Sequence, residues 1–179
     1  MANYKIIFTG PVGAGKTTAI STLSDEPPVI TDASARDMTR TRKFSTTVAM
    51  DYGVMSLVGG EKIHLYGTPG QERFDFMWDI LTTGGIGLIL LLDNTRSNPF
   101  QDMRFFLDAF KQFIQDTKVV IGVTQMDLST RPTIEEYHQR LQTMGLVIPA
   151  FDVDARSRKD MTILLQALLY SLDPALQEV

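Results

Sequence analysis

The sequence contains no cysteine and only 2 histidines, which narrows the chemistry that its side chains can support. A chain without thiols forms no disulfide framework, holds no thiolate zinc site and has no cysteine nucleophile. His64 and His138 lie far apart in the chain, and neither has a second ligand at the spacing of a metal site. The missing cysteine also suits a reducing compartment, so we expect a cytoplasmic protein.

Long hydrophobic runs and lipid-attachment signals are also missing. The longest apolar run, residues 84–92, is too short to cross a bilayer. The N-terminus lacks the charged, apolar and cleavage regions of a signal peptide. Residue 2 is Ala rather than the Gly that myristoylation needs, and prenylation and palmitoylation both need a cysteine. We therefore expect no direct lipid anchor.

The chain has no excess of positive charge. Its 17 Lys and Arg residues are outnumbered by 21 Asp and Glu residues, and a net charge of −4 does not favour a nucleic-acid partner. The length of 179 residues and the hydrophobic share of 44% suit a globular domain with a full core. No repeat or linker divides the chain, so we expect residues 1–179 to form one domain.

Residues 10–17 read GPVGAGKT, a complete GxxxxGK[ST] phosphate-binding loop between an apolar run and a helix start. Glycines allow the backbone N–H groups to turn towards a polyphosphate, and the following helix N-terminus favours negative charge. Lys16 would reach the β- and γ-phosphates, and the Thr17 hydroxyl would bind Mg²⁺. The alternative is a glycine-rich turn that ends in Lys-Thr by chance. The predicted phosphate-binding residues are Gly10, Gly13, Ala14, Gly15, Lys16, Thr17 and Thr18.

Strand and helix patterns alternate along the chain, which predicts an α/β fold with a mainly parallel, doubly wound sheet and helices on both faces. A Gly59-Gly60 turn predicts one antiparallel edge strand. We expect strands at residues 4–8, 48–57, 62–66, 87–92, 118–124 and 146–153. We expect helices at residues 16–23, 71–81, 100–114, 133–144 and 160–172.

The polar motifs follow the predicted strands, where ligands of such sheets bind. Residues 67–72 read GTPGQE, residues 124–127 read TQMD and residues 154–156 read DAR. Residues 31–46 form a long polar stretch that contains Arg36, Arg40 and Arg42, and loops of this length are usually functional or disordered.

With these motifs the chain resembles Ras-superfamily small GTPases over nearly its whole length. The resemblance implies a P-loop NTPase fold. Within that superfamily it most resembles the bacterial MglA-type GTPases, which act in cell polarity and motility. The resemblance implies that Asp127 accepts hydrogen bonds from guanine N1–H and the 2-amino group. It also implies that Ala155 donates its N–H to guanine O6, and that Thr124, Gln125 and Arg156 lie around the base.

The resemblance also assigns the switch residues. Thr47 would bind Mg²⁺ in the triphosphate state, with Thr46 as the competing register. Gly70 would contact the γ-phosphate, and Gln71 would orient the attacking water. Arg42 is our first candidate for a self-supplied arginine at the transferring phosphate; the alternative is a basic loop that docks an acidic partner.

The sequence departs from the family pattern in three motifs, at four residues. Gly67 stands where an aspartate usually supports Mg²⁺, a loss that MglA-type relatives share. Asp93 is a candidate substitute, and the alternative is that its carboxylate makes a structural hydrogen bond. Thr124-Gln125 stands in place of Asn-Lys, and Arg156 in place of a lysine. From these departures we expect weaker Mg²⁺ and nucleotide binding than in relatives that keep the usual residues.

Together, these motifs and the resemblance lead to the hypothesis of a cytoplasmic GTP-binding switch that hydrolyses GTP to GDP and phosphate slowly, with Mg²⁺ as cofactor. The resemblance implies effectors at the switch regions and an activator, for which a roadblock-fold protein is a candidate. One alternative is an interaction module that binds GTP with negligible hydrolysis. The other is a P-loop nucleotide kinase, against which Asp127 and the Gly70-Gln71 pair argue.

Overall fold

The computed structural model describes residues 2–30, 51–69 and 75–172. The strands are β1 (Asn3–Thr9), β2 (Asp51–Ser56), β3 (Lys62–Gly67), β4 (Gly87–Asp93), β5 (Val119–Thr124) and β6 (Ala150–Asp152). The helices are α1 (Lys16–Leu23), α2 (Asp75–Thr82), α3 (Pro99–Ala109), α4 (Lys111–Asp116), α5 (Ile134–Thr143) and α6 (Arg158–Leu172). None of the helices in these three stretches is long and apolar enough to cross a membrane.

The sheet has 6 strands in the order β2-β3-β1-β4-β5-β6. Neighbouring strands are parallel except for β2, which runs antiparallel to β3 at the sheet edge. The hairpin between them turns at Gly59 and Gly60, whose φ angles of 110° and 88° favour glycine. The predicted fold class is therefore confirmed.

The core lies on both faces of the sheet, which explains why β4 is buried throughout. On one face Ile89 and Leu91 pack with apolar side chains that include Ile20 of α1 and Leu164 of α6. On the opposite face lie Leu88, Leu90 and Leu92 with the side chains of α2, α3 and α5. Because β1, β4 and β5 are adjacent and parallel, their carboxyl ends lie side by side at one edge of the sheet, called the rim below.

The prediction of one continuous helix over residues 100–114 is wrong, because this region forms two helices, α3 and α4, separated at Phe110. This residue has φ −99° and ψ 14°, and its buried ring stacks on Trp78 with 5.0 Å between the ring centroids. The break between the two helices coincides with this aromatic packing, a contact between residues distant in the sequence.

The predicted strand over residues 146–153 is too long, since β6 covers only Ala150–Asp152. Pro149 has no N–H to donate to a ladder, and Val147 is fully exposed, so the strand does not extend back through these residues, although Leu146 and Ile148 pack against the core. Two other predictions extend beyond the described residues: residues 48–50 of the β2 prediction and residues 71–74 of the α2 prediction.

Candidate functional site

The loop between β1 and α1 has a backbone that only glycine can form at its first position. Gly10 has a φ of +144°, and a Cβ atom there would lie 2.0 Å from the carbonyl oxygen of Leu91. Gly13 and Gly15 also have positive φ angles, of 85° and 98°. Gly15 is the N-cap of α1 and offers no side chain to cap it, so the first N–H groups of α1 point into the loop unshielded by a cap.

Lys16 lies along this loop with its amine almost fully buried. Its Nζ donates to the carbonyl oxygens of Gly10 at 2.6 Å and Pro11 at 2.9 Å. Burial lowers the pKa of Lys16 to about 8, although the negative charge of Asp51 works in the opposite direction. The positive charge of Lys16 is therefore not fully compensated by neighbouring negative charge, and this favours the binding of an anionic ligand.

A contact between Thr17 and Asp51 adds a carboxylate that the sequence analysis missed. The Thr17 hydroxyl donates to Asp51, the first residue of β2. Asp51 pairs with Gly67 across the β2–β3 ladder, so the carboxylate lies opposite the position where the family's aspartate is lost. Counting back from the Gly59-Gly60 turn could have found it, because a tight hairpin determines which residues face each other. Hydroxyl and carboxylate oxygens are suitable ligands for Mg²⁺.

A cavity of about 740 Å³ lies beside the phosphate-binding loop and is lined by three segments, residues 13–15, 124–128 and 152–156, together with Thr18 and Asp160. Buried Thr124 connects the second segment to the first, since its hydroxyl donates towards the carbonyl oxygen of Ala14 at 2.9 Å. The carbonyl oxygen of Leu92, at 3.2 Å, is a second acceptor for the same hydroxyl. Gln125 has a positive φ of 61°, and its side-chain amide donates to the Gly13 carbonyl at 3.0 Å. The motif after β5 is thus attached directly to the phosphate-binding loop.

The remaining predicted base contacts also line this cavity. Asp127 is exposed at its edge, and Ala155 is buried against Gly15, with its carbonyl accepting from Thr22 at 2.8 Å. Arg156 is held by Asp154 through two hydrogen bonds of 2.9 and 2.8 Å. These bonds lower the pKa of Asp154 to about 2, so this pair stays charged near neutral pH. Much of the positive charge of Arg156 is therefore matched within its own loop.

The structure brings two groups of predicted residues to one rim. The first group, residues 10–18, forms the loop after β1 and the first turn of α1. The second group lies around the adjoining cavity and comprises Thr124, Gln125, Asp127, Ala155 and Arg156. Asp93, the last residue of β4, also lies at this rim. One of its carboxylate oxygens accepts hydrogen bonds from the N–H and the hydroxyl of Thr95, at 2.8 and 2.6 Å. Outside the described residues lie Thr46, Thr47, Gly70, Gln71 and the three arginines Arg36, Arg40 and Arg42.

Sequence comparison relates the chain to Ras-related proteins and to a family described as ATP-binding. The chain is 24% identical to the Ras-related protein RabC of Dictyostelium discoideum over 185 aligned positions, 97% of this chain and 86% of that protein. It is 24% identical to the Ras-related protein Rab-27A of Sus scrofa, over 92% of this chain and 76% of that protein. An uncharacterized protein of Methanocaldococcus jannaschii is 26% identical over 75% of this chain and 77% of its own length.

These weak similarities support a Ras-superfamily small GTPase and, with the P-loop, a nucleotide-binding, GTPase-like function. A family model matches residues 28–174, a span that begins after the phosphate-binding loop. Because that span is most of the sequence, the chain belongs to the family described as "conserved hypothetical ATP binding protein".

Proposed function

We propose that this protein binds GTP and GDP and hydrolyses GTP slowly, acting as a molecular switch of the MglA type. The observation that supports it is the single cavity of about 740 Å³ that joins the phosphate-binding loop to the Asp127 and Ala155 segments. A nucleotide needs both parts at once, because its phosphates and its base must be held at a separation given by the ribose. The proposed site is contained in one domain, residues 1–179.

The carboxylate of Asp127 favours guanine over the adenine that the family description names. Guanine presents two donors on one edge, N1–H and the 2-amino group, which a carboxylate can accept together. Adenine presents no such pair, so a carboxylate in contact with it would lose water and could not regain the two hydrogen bonds that guanine offers. The Ala155 N–H, which has no acceptor within the described part of the chain, would donate to guanine O6.

Competition binding tests the choice of base. GTP and GDP should displace a fluorescent guanine nucleotide far better than ATP does. Asp127→Asn should shift preference towards xanthine nucleotides, because the amide can donate to a carbonyl at position 2 of the base. Asp108→Asn, an exposed change on α3, is the matched control and should leave the preference unchanged. Equal affinity of the unmodified protein for ATP and GTP would contradict guanine recognition and favour an ATP-binding protein.

The phosphate end of the site is suited to Mg²⁺ with a triphosphate. Lys16 and the N–H groups of residues 13–17 would bind the phosphates, and Thr17 would bind the metal with Asp51 as the supporting carboxylate. Thr47 would add a second hydroxyl ligand in the triphosphate state. When bound, Mg²⁺ neutralises charge on the phosphate oxygens, while these side chains keep the nucleotide oriented for in-line attack.

Hydrolysis would depend on Gln71 to orient water and on Gly70 to contact the γ-phosphate. A positive charge at the transferring phosphate is worth ~10³–10⁵ in rate, and Arg42 is the first candidate among Arg36, Arg40 and Arg42. Single-turnover phosphate release tests this assignment. Arg42→Ala should slow release and leave GTP affinity nearly unchanged, whereas the exposed Arg104→Ala should alter neither. No measurable release from the unmodified protein would favour a GTP-binding interaction module, and release only with an added nucleotide acceptor would favour a kinase.

We place the activator and effector surfaces on the switch regions that contain Thr47 and Gly70, and the protein in the cytoplasm. The biological setting would be polarity or motility signalling in bacteria, with a roadblock-fold protein as the activator. Calorimetric titration of such a protein against the GDP form and a non-hydrolysable GTP form tests the pairing. Binding should be tighter to the triphosphate form, and equal affinity for the two forms would contradict a switch.

A further inference from the structure

A buried asparagine behind the cavity is bonded to the segment that carries Asp127. Asn94 follows β4 directly and is only 1% exposed. Its side-chain NH₂ donates to the carbonyl oxygens of Ser129 at 2.7 Å and Pro132 at 3.0 Å. Its backbone N–H donates to Thr124 at 3.0 Å. One residue therefore holds the beginning and the end of the loop on which Asp127 lies.

Tyr137 of α5 holds this asparagine in turn. Its hydroxyl donates to the Asn94 side-chain oxygen at 2.7 Å, and its ring is fully buried with Phe100 packed edge-on at 4.9 Å. The orientation of the Asn94 amide is determined by its partners, because two carbonyl oxygens can only accept and must face the NH₂ group. Burial raises the pKa of Tyr137, so its hydroxyl keeps the proton that it donates.

On this side the Asp127 loop also has an exposed ion pair, in which Arg131 donates to Glu136 of α5 at 3.3 Å. Leu128 and Ser129 donate their N–H groups to Gln125 at 3.1 and 3.2 Å, which closes the turn on itself. Thr124 and Gln125 attach the loop to residues 13 and 14 at the phosphate-binding loop. Because an exposed ion pair contributes little, the position of Asp127 relative to the base would then depend chiefly on two attachments, one at the phosphate-binding loop and one at Asn94.

We propose that Asn94 and Tyr137 are positioning residues that set the place of the Asp127 carboxylate and thereby the selectivity for guanine. The inference rests on the proposed function, since it concerns the same base. A carboxylate that accepts from both N1–H and the 2-amino group must approach the base edge symmetrically. If the loop loosens, the paired bond is lost before general contact with the base is lost.

The ratio of affinities for GDP and inosine diphosphate measures this positioning. Inosine diphosphate lacks only the 2-amino group, so the ratio reports the second hydrogen bond of the carboxylate. Tyr137→Phe removes the hydroxyl and keeps the buried ring. We expect GDP affinity to fall roughly two- to tenfold, the effect of one buried hydrogen bond, and inosine diphosphate affinity to fall less. Tyr170→Phe, the same change at a tyrosine of α6 that is 39% exposed, is the matched control and should change neither affinity.

A second variant tests the other half of the contact. Asn94→Asp keeps an acceptor for Tyr137 but loses both donors to the loop, so we expect a larger fall in the ratio. Parallel losses for both nucleotides, or an unchanged ratio in both variants, would overturn the inference and leave a structural contact only. A lower unfolding temperature by itself does not support it. If the unmodified protein prefers ADP to GDP, the proposed function fails; if it prefers GDP but the ratio does not move, only this inference fails.

Discussion

Asp51 lies beside the place that a side chain on Gly67 would take: a Cβ at residue 67 would lie 3.3 Å from the Asp51 Cβ and 3.5 Å from a carboxylate oxygen, with the Cδ1 atom of Ile20 nearer still at 3.0 Å. The two residues face each other across the β2–β3 ladder. With Thr17 donating to Asp51, a carboxylate reaches the phosphate end of the site from β2 instead of β3. The loss at Gly67 is therefore accompanied by a carboxylate on the neighbouring strand.

Asp51→Asn should weaken the dependence of nucleotide binding on Mg²⁺. The amide can still accept from Thr17 but lacks the negative charge that supports a metal. We expect nucleotide affinity in Mg²⁺ to fall about 10- to 100-fold, as is usual when a supporting ligand is removed. The measurement is GDP release with and without EDTA. If Asp51 supplies the support that the sequence analysis expected to be missing at Gly67, EDTA should accelerate release strongly from the unmodified protein and the exposed control Asp108→Asn, and only slightly from Asp51→Asn. A strong EDTA effect in Asp51→Asn would contradict the assignment.

Nucleotide binding should take up a proton at alkaline pH through Lys16. With a pKa of about 8, the amine of the nucleotide-free protein is largely neutral near pH 9, and bound phosphates would restore its charge. Affinity should therefore fall above about pH 8, by up to about tenfold per pH unit. Calorimetry in two buffers of different ionisation enthalpy measures the uptake. Uptake at pH 9 should approach one proton and vanish near pH 7, and no uptake at either pH would contradict the assignment.

The same shift predicts how stability changes with pH. The pKa of Lys16 is about 8 in the folded chain and 10.5 in the reference state, so the unfolded chain binds more protons between these values. The contribution of Lys16 to the free energy of unfolding should then rise with pH across this range. Denaturant titrations of the nucleotide-free protein and Lys16→Met, a neutral side chain of similar length, measure it. The rise should be smaller in Lys16→Met, and equal slopes would contradict the shifted pKa.

Trp78 should report the nucleotide state by fluorescence. It is the only tryptophan, it stacks on Phe110 at 5.0 Å, and its Nε1–H donates to the Pro69 carbonyl at 3.2 Å. Pro69 lies directly before Gly70, so contact of Gly70 with a γ-phosphate should alter the indole hydrogen bond. Exchange of GDP for a non-hydrolysable GTP analogue should shift the emission. An identical spectrum, with binding confirmed by a labelled nucleotide, would count against coupling through this residue.

Gly10→Ala should destabilise the protein by about 3 kcal/mol, because the added methyl group meets the Leu91 carbonyl in a fully packed sheet. Gly59→Ala is the matched control, since it has a positive φ of 110° with nothing within 4 Å of the new Cβ. The control should cost only about 1–2 kcal/mol of backbone strain. Denaturant unfolding measures both. Equal losses would show that φ, and not the contact with Leu91, makes glycine necessary.

The sequence alone was sufficient for the features that depend on neighbouring residues. The phosphate-binding loop follows from a spacing of glycines with Lys16 and Thr17. The sheet follows from runs of apolar residues, and the hairpin from Gly59-Gly60. Helix α5 begins with a capping box between Thr133 and Glu136, a signal contained in four consecutive residues. Such features are local, so their physical causes can be read in order along the chain.

Only the tertiary structure decided which distant residues meet. The contact of Asp51 with Thr17, the bond of Tyr137 to Asn94 and the stacking of Phe110 on Trp78 each join separate elements. The short β6 likewise reflects packing, because apolar residues before Pro149 predict a strand unless their exposure is known. Periodicity and motif spacing describe the environment of one segment at a time. Side-chain contacts across the fold depend on how the segments pack, and that arrangement is settled by the whole core together.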